Sequence, residues 1–236
     1  MTRLNKPEER LMDENARYSE MFTILGMIFV AALIVSNLIA GKMWSVFADI
    51  TVPASVILFP VTYMLADVFT EIYGFRRTRI IIWTGFACNF IAVFAYVVTV
   101  ILPYPSFWLD QDAFGVVFGM TPRVLAASFA AYLIGEFSNS IIMSRMKVRS
   151  NGKRLWERII TSTLVGEAFD TIIFVMISFV GIIPSSHLFS MIFFQYMFKV
   201  CFEIVLIPLT YWVIGTLKTK EGIDVYDNNI KYNVFR

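Results

Sequence analysis

An apolar run from Ile159 to Ile183, long enough to cross a bilayer, carries two carboxylates, Glu167 and Asp170, at its centre. Few folds accommodate that combination. A run of this length reads as a transmembrane helix. A carboxylate at mid-bilayer costs roughly 2.5–3.5 kcal/mol on insertion scales, so these acids must face a cavity or a partner rather than lipid. Three residues apart, they project from one face of a helix. The next apolar run supplies Gln195 and Lys199, four residues apart and also near mid-depth. The two helices are therefore expected to wall a polar pocket inside a membrane protein.

The rest of the chain fits that class. Of its 236 residues 58% are hydrophobic and 16% charged, against about 25% charged in a soluble domain, and the apolar residues fall in runs of bilayer length. The expected fold is all-α, a polytopic membrane protein of six transmembrane helices. A polar tail over residues 1–20 precedes a membrane domain over 21–215, and a second polar tail occupies 216–236. No cleavable signal peptide is expected ahead of the first span. Spans are expected at about Met21–Val46, Pro53–Tyr73, Ile80–Leu102 and Arg123–Met143, then the run at Ile159, then a last span ending near Gly215. Pro60 is expected to break the second span near its middle. Ala32, Ser36 and Ala40 form one close-packing face, and Ala127, Ala131 and Gly135 another. The loop after Pro103 carries Tyr104, Phe107, Trp108, Phe114 and Phe118, which suit an interfacial belt. No inverted repeat stands out.

Charge placement orients the spans. Seventeen of the 20 lysines and arginines lie in the two tails, in the turn at Arg76–Arg79 and in the basic loop from Arg145 to Arg158. The opposite side has Lys42 and Arg123 at helix ends. The positive-inside rule then places both termini in the cytoplasm.

Asp67, Glu71, Glu136 and Glu203 join the mid-membrane acids. For Glu71 the plainer expectation is an ion pair with Arg76 or Arg77, and for Glu203 an intrahelical pair with Lys199. The structural alternative is an Asp170–Lys199 pair that only holds two helices together, but such pairs are poor stabilisers because desolvation offsets the attraction, which favours a functional role. Tyr63–Asp67–Glu71 and Ser128–Tyr132–Glu136 form polar faces, and Asn37 and Asn89 add single amides. The set is rich in acceptors (Asp67, Glu136, Glu167, Asp170), with donors in Lys199, Gln195 and Asn37 and rings such as Tyr63 and Tyr132 nearby. Such a lining suits a flat, nitrogen-rich heterocycle: a carboxylate accepts from a guanine-like N–H edge, and lysine or an amide donates to its carbonyl. A buried acid could also carry a coupling proton. Cys88 and Cys201 read as small core hydrophobes. With no CxxC, no HExxH and a single histidine, His187, no metal and no cofactor is expected. An intramembrane enzyme finds no nucleophile–base pair.

The ordered pattern of Asn37, Phe59-Pro60, Asp67 and Glu71, then Arg123, Ser128, Phe129, Tyr132 and Gly135, then Ser162-Thr163-Leu164, Asp170-Thr171 and Phe174, then Tyr196 and Lys199 resembles the queuosine precursor transporter family, also called the vitamin uptake transporter family. The resemblance spans the chain from about Asn37 to Lys199. It implies uptake of a 7-deazaguanine (preQ0, preQ1, queuine or queuosine) across a bacterial inner membrane for tRNA modification, with no nucleic acid bound. It also implies a six-helix fold similar to the substrate-binding subunits of energy-coupling-factor transporters. An alternative follows: a binding subunit that works only with a separate ATPase module. The family's polar residues fall here on Asn37, Asp67, Glu71, Arg123, Asp170 and Lys199. Glu167 departs from the pattern, in which an amide is expected.

Overall fold

The computed structural model describes residues 19–40, 42–47, 50–118, 122–181, 185–228 and 230–235; most of the N-terminal tail lies outside them. Among these the chain forms α1 (Glu20–Ile39), a short antiparallel hairpin of β1 (Met43–Phe47) and β2 (Ile50–Pro53), a single 3-10 turn (Ala54–Ile57), and then α2 (Phe59–Tyr73) and α3 (Phe75–Ile101). It continues with α4 (Gln111–Phe118), α5 (Pro122–Arg149), α6 (Leu155–Phe179) and α7 (Ser185–Glu221). The protein is essentially helical, with seven α-helices among the described residues. Four of them, α1, α3, α6 and α7, are long and apolar enough to cross a membrane.

Two expectations are corrected. The first span stops at Ile39, and the β-branched and aromatic stretch after it turns back as the hairpin. Pro60 lies in the first turn of α2 rather than mid-span; there its missing N–H is one that the helix would leave unpaired anyway.

α2 is the axis of the bundle. Its 15 residues rise about 22 Å, less than the roughly 30 Å hydrocarbon core, yet every residue from Thr62 to Tyr73 is buried. α1, α3, α5 and α7 all pack against it. Phe29 and Leu33 of α1, Phe69 and Ile72 of α2, Ile82 of α3 and Phe137 of α5 belong to one core. Phe69 takes the edges of Phe22 and Phe29 at centroid distances of 5.5 and 6.2 Å. A helix covered on all sides can carry Asp67 and Glu71 because neither meets lipid.

α5 and α6 make the most extensive pairing, through two glycines. A Cβ on Gly135 would sit 3.0 Å from the Gly166 carbonyl and 2.9 Å from Asp170 Cβ; one on Gly166 would sit 3.1 Å from the Gly135 carbonyl. Ala127 and Ala131 are buried on the same helix, as expected of a small-residue face. Gly135→Val should therefore cost about 1–3 kcal/mol through overpacking, read as a lower unfolding midpoint of the purified protein. An unchanged midpoint would mean that the helices are not this close.

The two ends of the helical domain meet. The Tyr73 hydroxyl at the end of α2 donates to Glu221 at 2.6 Å, at the end of α7, and lies 3.4 Å from Ser19 Oγ, the N-cap of α1. Helices α1 to α7, α4 apart, thus alternate in direction, and the basic loops collect at one end. The C-terminal residues, expected as a simple polar tail, strap across that end. Asp227 accepts from the Phe75 N–H at 2.7 Å, capping α3, and from Ser144 at 2.6 Å. Val225 N–H donates to Ile72 O at 3.0 Å, and the Trp83 indole donates to Val234 O at 2.8 Å.

At the other end α4 packs against α3 and buries none of its residues. Tyr104, Phe107 and Trp108 are exposed beside it. Cys201 is exposed and Cys88 half-buried, so neither is the core hydrophobe expected. α7 faces outward over much of its length, and Cys201 shares that side.

Candidate functional site

Two buried charge clusters lie one helical turn apart along α2, and their compositions differ in a way that separates their roles. The first is built on Glu71. Arg158, from the start of α6, donates to both Glu71 oxygens, and its remaining N–H groups reach the Lys153 and Gly152 carbonyls at 3.2 Å. Lys218 donates to Glu71 Oε1 at 2.7 Å. Lys147 lies 3.8 Å from the same oxygen and donates to the Glu71 carbonyl, to Asp224 and to Val225 O. Burial alone would raise the Asp224 carboxyl, but hydrogen bonds and charge from Lys147 and Lys218 outweigh it and hold that group below its ordinary value. Three cations face two acids, and no side-chain oxygen of Glu71 lacks a partner. Bidentate arginine geometry suits this closed task. The expected pairing of Glu71 with Arg76 or Arg77 is replaced by one with Arg158, 87 positions away: α6 delivers its guanidinium to the α2 end, whereas Arg76 points to solvent.

The second cluster lies deeper in the membrane domain, among α2, α5, α6 and α7. Lys199 of α7 donates to Asp170 and sits 2.8 Å from Glu167, both on α6. Its ammonium lies 4.8 Å from the Phe59 ring centroid and 6.0 Å from that of Tyr63. The convergence expected of Glu167, Asp170 and Lys199 is thus present. Gln195, one turn before Lys199, is buried with Oε1 unpartnered. From α2, Asp67 accepts from Asn139 at 2.8 Å through Oδ1, while Oδ2 has no partner. Tyr63 is buried with its hydroxyl unpartnered; the hydroxyl stands 2.7 Å from where a Gly135 Cβ would be. From α5, Glu136 is wholly buried with neither oxygen hydrogen-bonded. It lies within electrostatic reach of Asp67, Glu167, Asp170 and Lys199.

Glu203 belongs here too, which corrects its expected pairing with Lys199. The ammonium is turned to α6, and both Glu203 oxygens are left without a hydrogen bond, in reach of Asp67, Glu136 and Glu167. Asn139 and Ser140, three and four residues after Glu136, were missed; that spacing on one helical face was the available signal. Asn37 and Tyr132 stand apart, in a clasp of their own. Asn37 accepts from Ser128 of α5 and donates to Leu33 O, and Tyr132 reaches Ile82 O of α3 at 3.4 Å. Their hydrogen bonds tie α1 and α3 to α5. Arg123 likewise serves a helix end, donating to Ile177 O and Val180 O, both at 2.5 Å, where α6 runs out of internal donors.

Chemically the deep cluster is unbalanced. Among the described residues five carboxyl groups (Asp67, Glu136, Glu167, Asp170, Glu203) share a single ammonium, and most of the cluster's unpartnered atoms are acceptors. A buried acceptor without a donor costs about 1–3 kcal/mol, more if charged, so the cluster is built to receive hydrogen-bond donors or positive charge. Among the described residues no three His, Cys, Asp or Glu side chains converge in a metal-binding arrangement.

Comparison with known proteins agrees with this picture. The chain is 25% identical over 181 residues to a probable queuosine precursor transporter of Bacillus subtilis (strain 168), covering 76% of this chain and 79% of the relative. It is 27% identical over 174 residues to the queuosine precursor transporter of Escherichia coli (strain K12), covering 72% and 76%. No solved structure matches it significantly. Residues 53–213, which hold α2, α3, α5, α6 and every acid of the deep cluster, match the family described as "Putative vitamin uptake transporter". A multi-pass helical protein with a buried, donor-seeking cluster and this match is a transporter rather than an enzyme, and the chain belongs to the vitamin uptake transporter family.

Proposed function

We propose that the chain imports a queuosine precursor, a 7-deazaguanine such as preQ0 or preQ1, or queuine or queuosine, across a bacterial inner membrane for tRNA modification. The observation that carries this reading is the excess of buried, unpartnered acceptors among α2, α5, α6 and α7. A 7-deazaguanine offers several N–H donors on a flat ring, and an aminomethyl arm adds a cation; both complement carboxylates. The names of the two relatives point the same way. In this reading Asp170, Glu167, Asp67, Glu136 and Gln195 contact the base or its cation. Lys199 donates to the ring oxygen once released from one of its acids, and Tyr63 and Phe59 cover the ring. Asn37 and Tyr132 act indirectly, by fixing α1 and α3 against α5.

Calorimetric titration of the purified protein with preQ0, preQ1, queuine and guanine tests the site. Saturable binding is expected, tightest for preQ1 because its cation enters an acid-rich cluster. Absence of binding by all four would remove the proposal. A stand-alone carrier is favoured over a subunit of an ATP-driven complex because Ala127, Ala131, Gly135 and Ser36 are buried within the bundle, leaving those faces closed to an outside helix. Uptake by proteoliposomes holding this chain alone is the expected result.

We also infer six crossings, by α1, α2 with the segment before it, α3, α5, α6 and α7, with both termini cytoplasmic. The gathering of basic residues at the Tyr73 end supports this orientation. A fluorescent protein fused after Arg236, of a type that matures only in the cytoplasm, should fluoresce; a dark, stably expressed fusion would reverse the orientation.

A further inference from the structure

The turn between α5 and α6 holds a feature that transport leaves unused. Asn151 and Arg154 adopt left-handed backbone conformations, with φ of 49° and 52°, uncommon outside glycine, and the chain folds back sharply there. Beside the turn lies a cavity of about 520 Å³ whose polar lining is Arg149, Ser150, Lys153, Arg154, Glu157 and Arg158. Its one carboxylate, Glu157, lies 3.3 Å from Arg154, and Arg158 is committed to Glu71. Among the described residues Arg149 and Lys153 have no ion-pair partner.

The N-terminus of α6 adds to the positive field. Its N-cap is Arg154, which makes no side-chain cap, where an anion would be favoured. The cavity sits at the level where α6 enters the membrane domain. Trp156 is 54% exposed and its backbone N–H donates to the Tyr211 hydroxyl of α7 at 2.7 Å. Trp and Tyr at span ends mark the headgroup boundary. Further along α6, and on the neighbouring α7, large apolar side chains are exposed: Leu164 on α6, and Val205, Leu209 and Trp212 on α7. A ligand matching all of this has a phosphate at one end and hydrocarbon at the other.

We propose that this cavity binds the phosphate of an anionic phospholipid headgroup, with the acyl chains lying along the exposed α6–α7 face. Basic pockets between helices at a membrane surface bind such headgroups, and each cation contributes measurably near an anionic surface. The proposal does not depend on what the deep cluster carries.

The test uses the purified full-length chain in detergent, titrated with phosphatidylglycerol, phosphatidylcholine or inorganic phosphate, and followed by native mass spectrometry and thermal unfolding. Phosphatidylglycerol is expected to bind and raise the midpoint, phosphatidylcholine to do neither, and inorganic phosphate to leave bound phosphatidylglycerol in place. The double variant Arg149→Ala/Lys153→Ala should bind phosphatidylglycerol roughly tenfold or more weakly, with an unchanged lipid-free midpoint. Arg76→Ala, which removes an exposed cation outside the cavity, should bind as the parent does. Should the double variant fail to fold, Lys153→Gln alone should weaken binding several-fold. Equal binding of the two lipids, or full phosphatidylglycerol binding by the variants, would overturn the proposal. Displacement by inorganic phosphate, marking a free-anion site, would overturn it too.

Discussion

Lys199→Met is expected to abolish precursor uptake and to lower the unfolding midpoint of the protein. Among the described residues the ammonium is the sole cation paired with Asp170 and Glu167, and removing one partner of a buried pair costs about 3–5 kcal/mol because the other is left uncompensated. A stability loss alone would not separate scaffold from site, so the informative variant is Lys199→Met/Asp170→Leu. It removes the ammonium and one of its two acids, and apolar replacement of a buried pair is often neutral or stabilising, while Glu167 remains without its cation. The double variant should regain part of the lost stability and still transport nothing, read as precursor-dependent queuosine in tRNA. Normal uptake by it would show that the pair merely joins α6 to α7. The deep cluster would then lose its claim to the substrate.

The second large effect lies one turn away on α2 and has the opposite character. Glu71→Ala leaves Arg158, Lys147 and Lys218 converging with Asp224 as the one remaining acid among the described residues. Glu71 and Arg158 are each 1% exposed, so the loss should reach about 3–5 kcal/mol and appear as failed accumulation in the membrane. Glu203→Gln should behave differently. It removes a charge from a cluster already holding five acids and one lysine, so stability should hold or rise while uptake falls. Paired measurement of folded yield and uptake for the two variants checks this contrast. If Glu203→Gln were as poorly folded as Glu71→Ala, the division of α2 into a structural end and a binding end would fail.

Hydropathy and charge placement reach far into this fold. Burying or exposing twenty consecutive apolar residues is a one-dimensional property, so membrane class could be read without knowing any contact. The mid-membrane acids were legible for the same reason: Asp170 and Lys199 violate the lipid rule wherever they face. Spacing of three and four residues grouped Glu167 with Asp170 and Gln195 with Lys199, and the structure brings Lys199 onto both acids, with Gln195 buried one turn before it. Pro60 misled because a proline cannot reveal whether a helix begins at it or continues through it. Only the hairpin that ends at Pro53 and the turn after it decide that α2 starts at Phe59.

Partner choice was not legible. Arg76 is five positions from Glu71 and Arg158 is 87, yet Glu71 takes Arg158. Glu203 is four residues from Lys199 on one helix, yet the ammonium turns to α6, where two carboxylates outbid one. The strap of Asp224, Val225 and Asp227 over the ends of α2, α3 and α5 left no apolar signature, because it acts through hydrogen bonds and ion pairs to groups far along the chain. By itself the sequence determined that this is a helical membrane protein of alternating direction with acids sequestered in its interior, since transfer free energy is set residue by residue. Which of those acids is neutralised by the protein, and which is left waiting for a donor, was decided only by tertiary structure, because charge compensation depends on which helices meet.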